Sequence, residues 1–406
     1  MHRRPLTTGW AMKYAIVIPD GAADVPLDEL DGKTPLAAAE TPNMDWIAAH
    51  GRLGMVQSVP PGMDPGSDVA ILSILGYSPR QFYTGRAPLE AAARGLQLGP
   101  DDWVFRCNFV TVIDGVMEDY SAGHISTKEA SALVEELNRL LGRERIRFHP
   151  GVSYRHLMTL AGEVNVTTTP PHDILGEPVA AHMPRGPGSE VLATLIQRSE
   201  AVLADHEINQ VRRDLGENPA THIWLWGGGK MPSLPPFADR FGVTAAAVTA
   251  VDLVRGLARL IGWDCIEVPG ATGFLDTNYA GKGAAGVQAL DEHDLAFVHV
   301  EAPDEAAHQA DAAGKVRAIE EVDRHVVGPL LERLRKEEAG WRIMVLPDHP
   351  TPCVRRTHTP DAVPFAIAGT RVPSILDRPF SEQAAAQSDL EIARGWELME
   401  FFLKAH

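Results

Sequence analysis

Three carboxylates and three imidazoles of this chain stand where apolar runs stop. "KYAIVIPD" ends on Asp20, "DLAFVHVEAPD" on Asp304 and "RIMVLPD" on Asp348, each with a proline just before the acid. His308 follows Asp304 by four residues, His349 follows Asp348 directly, and His358 lies in the Pro- and Thr-rich loop beyond. One Asp after a strand reads as a turn residue, and one His reads as a surface residue. Six such groups at three matching ends read as metal ligands. Mixed oxygen and nitrogen donors without a thiolate suit Mn²⁺ or Zn²⁺ better than Ca²⁺. Asp304 and His308 share one face if a helix begins there. Asp348 and His349, being neighbours, are expected to serve two ions rather than one. Two ions a few Å apart make the clamp that holds attacking and leaving oxygens in phosphoryl chemistry.

Ser67 is the candidate nucleophile. In "PPGMDPGSDVAILSILGY" it follows a Pro-Gly turn and opens an apolar helix. It reads as a helix N-cap, but a helix N-terminus also offers N–H groups and a positive dipole end to phosphate. A serine beside a metal can ionise and attack. The two readings are compatible.

The elements that must position these groups follow α/β grammar. Continuous β-branched runs imply strands buried on both faces, as in a parallel sheet between helices, where ligands sit beyond the carboxyl ends of the strands. Helical patterns lie between them, in "TPNMDWIAAHG", "SDVAILSILG" and "VRAIEEVDRHVVGPLLERLRKEE". Residues 116–217 mix helices with short alternating strands, so they are expected to form an inserted α+β domain that closes on the metal site. Residues 12–115 and 218–406 would form the discontinuous outer domain. Residues 1–11 read as an extension ahead of Met12, which could be the true start. "WGGGKMP" reads as a turn after a strand; it lacks the GxxxxGK[ST] spacing of a phosphate loop.

Composition narrows the function. At 406 residues with 45% hydrophobic content the chain is long enough for two domains. A net charge of −17 disfavours a nucleic-acid or anionic-membrane binder. No apolar run approaches the ~18 residues of a membrane span. Cys107, Cys265 and Cys353 are widely spaced, with no CxxC pair, which suits a reducing cytoplasm. An anionic small-molecule substrate would therefore need a local cluster of cations. Oligomeric state stays open.

The set Asp20, Ser67, Asp304, His308, Asp348, His349 and His358 resembles the alkaline phosphatase superfamily. Within it the chain is similar to the cofactor-independent phosphoglycerate mutases of the shorter, archaeal type. "YTGRAPLEA", "FRCNFVT", "SYRHLM", "PPHDILG", "IWLWGGGK", "GATGFLDTNY" and "VEAPDEAAH" carry that likeness, which covers nearly everything from Met12 on. The resemblance implies an alkaline phosphatase-like core, a mainly parallel sheet flanked by helices, and an inserted smaller α+β domain. It implies two divalent ions, Mn²⁺ foremost, with Zn²⁺, Co²⁺ or Mg²⁺ as alternatives. Asp304, His308 and His358 would hold one; Asp20, Asp348 and His349 would hold the other, with Ser67 completing its shell. Ser67 would take the phosphoryl group of 3-phosphoglycerate and return it to the 2-hydroxyl, while the inserted domain retains glycerate and excludes water.

That chemistry calls for cations to meet a carboxylate and a phosphate. Arg86, Arg106, His124, Arg155, His156 and Lys230 are the candidates, with Arg106 and Arg155 foremost because each sits in an apolar stretch. Two rival readings use the same residues. One is a homoserine kinase-like phosphotransferase on the same metal-serine site, favoured by the phrase "DYSAGHIST" around His124. The other is a metal-binding scaffold without catalysis.

Overall fold

A computed structural model of the chain describes residues 12–404. The extension expected at residues 1–11 lies outside the described residues. In chain order the strands are β1 (Lys13–Pro19), β2 (Arg52–Val56), β3 (Asp102–Ile113), β4 (Val116–Asp119), β5 (Ile146–Val152), β6 (Arg155–Ala161) and β7 (His222–Lys230). They continue with β8 (Ala245–Val248), β9 (Asp264–Ile266), β10 (Leu295–Val300), β11 (Trp341–Val345), β12 (Val363–Gly369) and β13 (Glu391–Ile392). The chain divides into two compact units. One is built from the chain up to Tyr83 together with the chain from Ser233 onward, the other from Thr84–Pro232.

The first unit carries an eight-stranded sheet in the order β13-β2-β12-β11-β1-β10-β8-β9. Pairings from β11 through β1, β10 and β8 to β9 are parallel, while β12 runs antiparallel to both β11 and β2. The three runs that end in Pro-Asp are therefore the three adjacent strands β11, β1 and β10. Ala15 and Val17 of β1 join the main apolar core, while Ile16 and Ile18 are buried just as completely. Both faces of β1 are covered, which is why its run does not alternate.

The helix read in "VRAIEEVDRHVVGPLLERLRKEE" is broken in two: Ala312–Val322 and Gly328–Leu334 flank one π-helical stretch, Asp323–Val327. Pro329, which lacks an N–H, sits just past that stretch. The Asp323 carboxylate accepts from the backbone N–H of Asn43 and Met44 at 3.2 and 2.7 Å. It thus caps helix Pro42–Ala49, whose own N-cap residue, Thr41, makes no side-chain capping bond.

The second unit is α+β, with a five-stranded sheet in which β3 pairs antiparallel with β4, β6 and β7. Helix Thr127–Leu140 opens on a capping box made by Ser126 and Glu129. This unit is wider than the span 116–217 read from the sequence. The reason is β3 and β7: both are apolar runs, and sequence cannot tell that they pair with each other rather than with the outer sheet. "GGGK" is not a turn, because β7 continues through Lys230. Between Val104↔Gly229 and Arg106↔Trp226 the β7 side carries one extra residue, a bulge. Gly227 takes φ +59°, and a Cβ at Gly228 would meet the Phe105 ring at 2.2 Å.

Candidate active site

Asp20, Asp304 and Asp348 follow the carboxyl ends of β1, β10 and β11, so strand order alone brings three acids together. All three are buried. Helix Ala302–His308 places Asp304 and His308 one turn apart, and His308 Nε2 lies 3.1 Å from Asp304 Oδ2. His358 Nε2 lies 3.5 Å from Asp304 Oδ1. On the other side His349 Nε2 is 3.5 Å from Asp20 Oδ1 and 3.4 Å from Asp348 Oδ2. Asp348 and His349 thus both border Asp20, although the two were expected to point to two ions. The His349 N–H donates to Asp348 Oδ1 at 3.0 Å, which folds the carboxylate back over the next residue.

Ser67 lies at the first residue of helix Ser67–Ile74, and Gly66 is the N-cap, without a side-chain capping bond. Ser67 is thus not a cap. Its Oγ donates to Asp20 Oδ2 at 3.3 Å and lies 3.1 Å from His349 Nε2. All seven residues that the sequence singles out as candidate nucleophile and ligands lie in one site.

The electrostatics call for positive charge. Burial, then the neighbouring carboxylates Asp348 and Asp304, raise Asp20 well above the usual carboxylate range. Burial would also raise Asp304, but hydrogen bonds from His308 and His358 hold it well below. The same hydrogen bond pushes His308 up to about 9. Protons and cations compete for these atoms. Two buried carboxylate oxygens, Asp20 Oδ1 and Asp348 Oδ2, have no hydrogen-bond partner. Both face His349 Nε2, and an orphaned buried acceptor of this kind is satisfied by a cation. Three donor groups have their ligand atoms within 4.8 Å of one another: Asp304, His308 and His358; Asp20, Asp304 and His349; Asp20, His299 and Asp348. The residues present fit divalent metal.

Sequence reading missed two of the groups here. His299 Nε2 approaches Asp20 Oδ2 at 2.9 Å from within β10; the signal was a lone histidine inside the wholly apolar run "LAFVHV". Thr351 Oγ1 donates to Asp304 Oδ1 at 2.5 Å and lies 3.2 Å from His349 Nδ1, so it touches both sets of ligands.

The six candidate cations all belong to the second unit, and only some of them cluster. Arg106 lies over the Trp226 ring at 4.3 Å and pairs with Glu90 at 3.1 Å. Burial lowers its pKa, Glu90 opposes that, and the charges of Arg86 and Arg155 lower it further. A chain of edge-on aromatic contacts runs from Trp226 through His172, Tyr120 and Tyr154 to His124, with Arg155 over Tyr154. His124, at φ 50°, belongs to that cluster, and so does the unforeseen His172. His156 does not. It is buried against Phe109, accepts from the Gly151 N–H at 2.9 Å, and burial lowers it to about 3. Lys230 pairs with Asp101 at 3.3 Å.

A family model described as 2,3-bisphosphoglycerate-independent phosphoglycerate mutase matches residues 48–209. A protein of that name from Methanothrix thermoacetophila is 48% identical over 392 residues, covering 97% of this chain and 100% of the relative. Its counterpart from Methanothermobacter thermautotrophicus, numbered 2, is 50% identical over 395 residues, covering 97% of each. Among solved structures, a protein from Pyrococcus horikoshii gives a TM-score of 0.82 at 32% identity, covering 97% of each chain. The cofactor-independent phosphoglycerate mutase of Thermoplasma acidophilum gives 0.67 at 26% identity, covering 97% of this chain and 99% of that one.

Proposed function

The chain belongs to the 2,3-bisphosphoglycerate-independent phosphoglycerate mutases, and from that premise we propose how its own residues interconvert 3-phosphoglycerate and 2-phosphoglycerate. The observation that carries the reading is Ser67 Oγ at 3.1 Å from His349 Nε2, beside two orphaned carboxylate oxygens. Asp304, His308 and His358 would hold one divalent ion, and Asp20, Asp348 and His349 the other. Bound there, such ions supply Lewis-acid charge to phosphoryl oxygens. The donor set of three carboxylates and three imidazoles suits Mn²⁺, with Zn²⁺, Co²⁺ or Mg²⁺ as alternatives.

Ser67 acts as nucleophile. Its Oγ bonds to phosphorus as the bond to O3 of 3-phosphoglycerate breaks, and its proton ends on the departing hydroxyl. The 2-hydroxyl of the same glycerate then attacks phosphorus, the Oγ–P bond breaks, and the 2-hydroxyl's proton passes to Ser67 Oγ. A mutase must keep the acceptor bound between these steps, whereas a phosphatase releases it. In this reading the arginine cluster of the second unit, Arg86, Arg106 and Arg155 with His124, binds the substrate's carboxylate. Planar guanidinium forks suit that role.

No helix among the described residues is long and apolar enough to cross a membrane. The three unpaired cysteines accord with a cytoplasmic setting.

The test is incubation of metal-loaded protein with 3-phosphoglycerate, followed by phosphorus NMR. A resonance of 2-phosphoglycerate should grow without ATP or 2,3-bisphosphoglycerate. Formation of O-phosphohomoserine from ATP and L-homoserine, with 3-phosphoglycerate untouched, would leave the metal-serine chemistry standing and overturn the substrate.

A further inference from the structure

His299 stands outside the residues that the sequence singles out, yet its imidazole is fully buried in the site. It shares a donor group with Asp20 and Asp348, so proximity alone would make it a ligand. The hydrogen bonds around it say otherwise. The Val251 N–H donates to Thr249 Oγ1 at 3.1 Å, and that hydroxyl, 3.3 Å from His299 Nδ1, keeps its own proton to give to the ring. An ionised carboxylate oxygen only accepts, so an imidazole nitrogen at hydrogen-bond distance from one bears the proton, here Nε2. That proton points at Asp20 Oδ2, at 2.9 Å. Ser67 Oγ donates to the same oxygen at 3.3 Å. The other oxygen, Oδ1, has no hydrogen-bond partner and faces His349 Nε2.

His299 thus sorts the two oxygens of one carboxylate. We propose that His299 is a positioning residue: it donates from Nε2 to Asp20 Oδ2, presents Oδ1 to the metal centre, and ligates no ion itself. The inference rests on the two-ion reading above. It explains why Thr249, just past the end of β8, and His299, in the neighbouring strand β10, are both polar although β8 and the rest of β10 are apolar. Outer hydrogen bonds of this kind set the orientation and basicity of a ligand, and losing one costs metal affinity without removing a donor atom.

The test compares His299→Gln, whose amide can still donate to Asp20, with His299→Leu, which cannot. Mn²⁺ binding to the full chain is titrated by calorimetry, and the visible absorption of the Co²⁺-loaded protein reports the donor set. His299→Leu should weaken one of two Mn²⁺ sites about ten- to hundred-fold, while His299→Gln keeps both within about three-fold. The Co²⁺ bands of His299→Gln should match those of the unaltered chain, because no nitrogen ligand is lost. Loss of one ion in His299→Gln with shifted Co²⁺ bands makes His299 a ligand and overturns the proposal; unchanged Mn²⁺ affinity in His299→Leu overturns it too. Should His299→Leu not fold, the Co²⁺ bands of His299→Gln decide. Turnover of 3-phosphoglycerate by the unaltered chain is measured alongside. Two bound Mn²⁺ without isomerisation would count against the functional reading and leave the His299 comparison valid.

Discussion

The Nε2 atoms of His308 and His358 lie 3.1 Å apart, and each ring turns its Nδ1 to a backbone carbonyl, Arg356 O at 2.9 Å and Pro65 O at 3.3 Å. An Nδ1–H given to a carbonyl lets Nε2 face a cation, which would displace the proton that Asp304 draws to His308. Asp304 completes the set. His358→Ala or Asp304→Ala should therefore lower the metal content from two ions to one, read by elemental analysis after dialysis. Chelation of the unaltered chain should abolish turnover, and added Mn²⁺ should restore it. An Asp304→Ala variant with two ions and full turnover refutes the assignment.

Ser67→Ala should abolish turnover at almost no cost to the fold. A lost N-cap costs ~1 kcal/mol, but Ser67 makes no capping bond, so its removal should cost less than that. Thermal unfolding checks the stability, and intact-mass analysis of quenched reactions checks for the phosphoserine. Phosphate mapped to any other residue sinks the assignment.

Lys315 should matter more to stability than any of the ligands. It is fully buried and spends its three donors on Asp24 Oδ2 at 2.8 Å, Thr351 O at 2.9 Å and Ala23 O at 3.2 Å. It thereby ties the loop after β1 to the loop after β11, each of which carries candidate metal ligands. Lys315→Met strands a buried carboxylate and should cost about 3–5 kcal/mol in urea unfolding. Adding Asp24→Leu should recover part of that loss. A double variant no more stable than the single one speaks against the pairing as the cause.

His156 gives the fold an acid limit. Its folded pKa, about 3, lies below the ordinary 6.5 because burial disfavours the imidazolium. The unfolded chain then binds a proton that the folded chain refuses. The stability present above pH 6.5 is lost as pH falls toward about 3, by up to a few kcal/mol. His156→Asn keeps an acceptor for Gly151 and removes the titration, so its denaturation midpoint should vary less across that window. Its KM for 3-phosphoglycerate should not move. A parallel decline in both proteins would show that other groups set the limit.

Much of this site is legible in the sequence because its signals are local. A proline and an acid after each apolar run mark Asp20, Asp304 and Asp348 within a few residues, and the i,i+4 spacing places His308. His299 carries no such mark: its partner Asp20 is 279 residues away, and a histidine within an apolar strand gives no hint of a hydrogen bond to another strand's end. Thr351 reads as a turn threonine until Asp304 is beside it. The unit boundary at Thr84 is hidden for a similar reason, since β3 shows its apolarity and not its partner. The alternation of β6 in turn separates Arg155 from His156, which no motif containing both could reveal.

That separation leads to the last prediction. Burial and then the charges of Arg86 and Arg155 depress Arg106, while Glu90 and, more weakly, Tyr154 oppose them. The aromatic walls of Trp226 and Tyr154 hold the guanidinium planes at 4.3 and 5.5 Å. Guanidiniums whose charges bear on one another favour an anion placed among them, which a substrate carboxylate would supply. Lys230 is not so placed, because Asp101 already pairs with it at a partly exposed site. Arg155→Met removes a charged hydrogen bond worth about 1.5–3 kcal/mol, so KM for 3-phosphoglycerate should rise at least about ten-fold, with the fold intact. Lys230→Met breaks only a surface pair and should leave KM within about two-fold. Steady-state kinetics of the two variants side by side decide the matter: equal rises in KM would take anion recognition away from the arginine cluster.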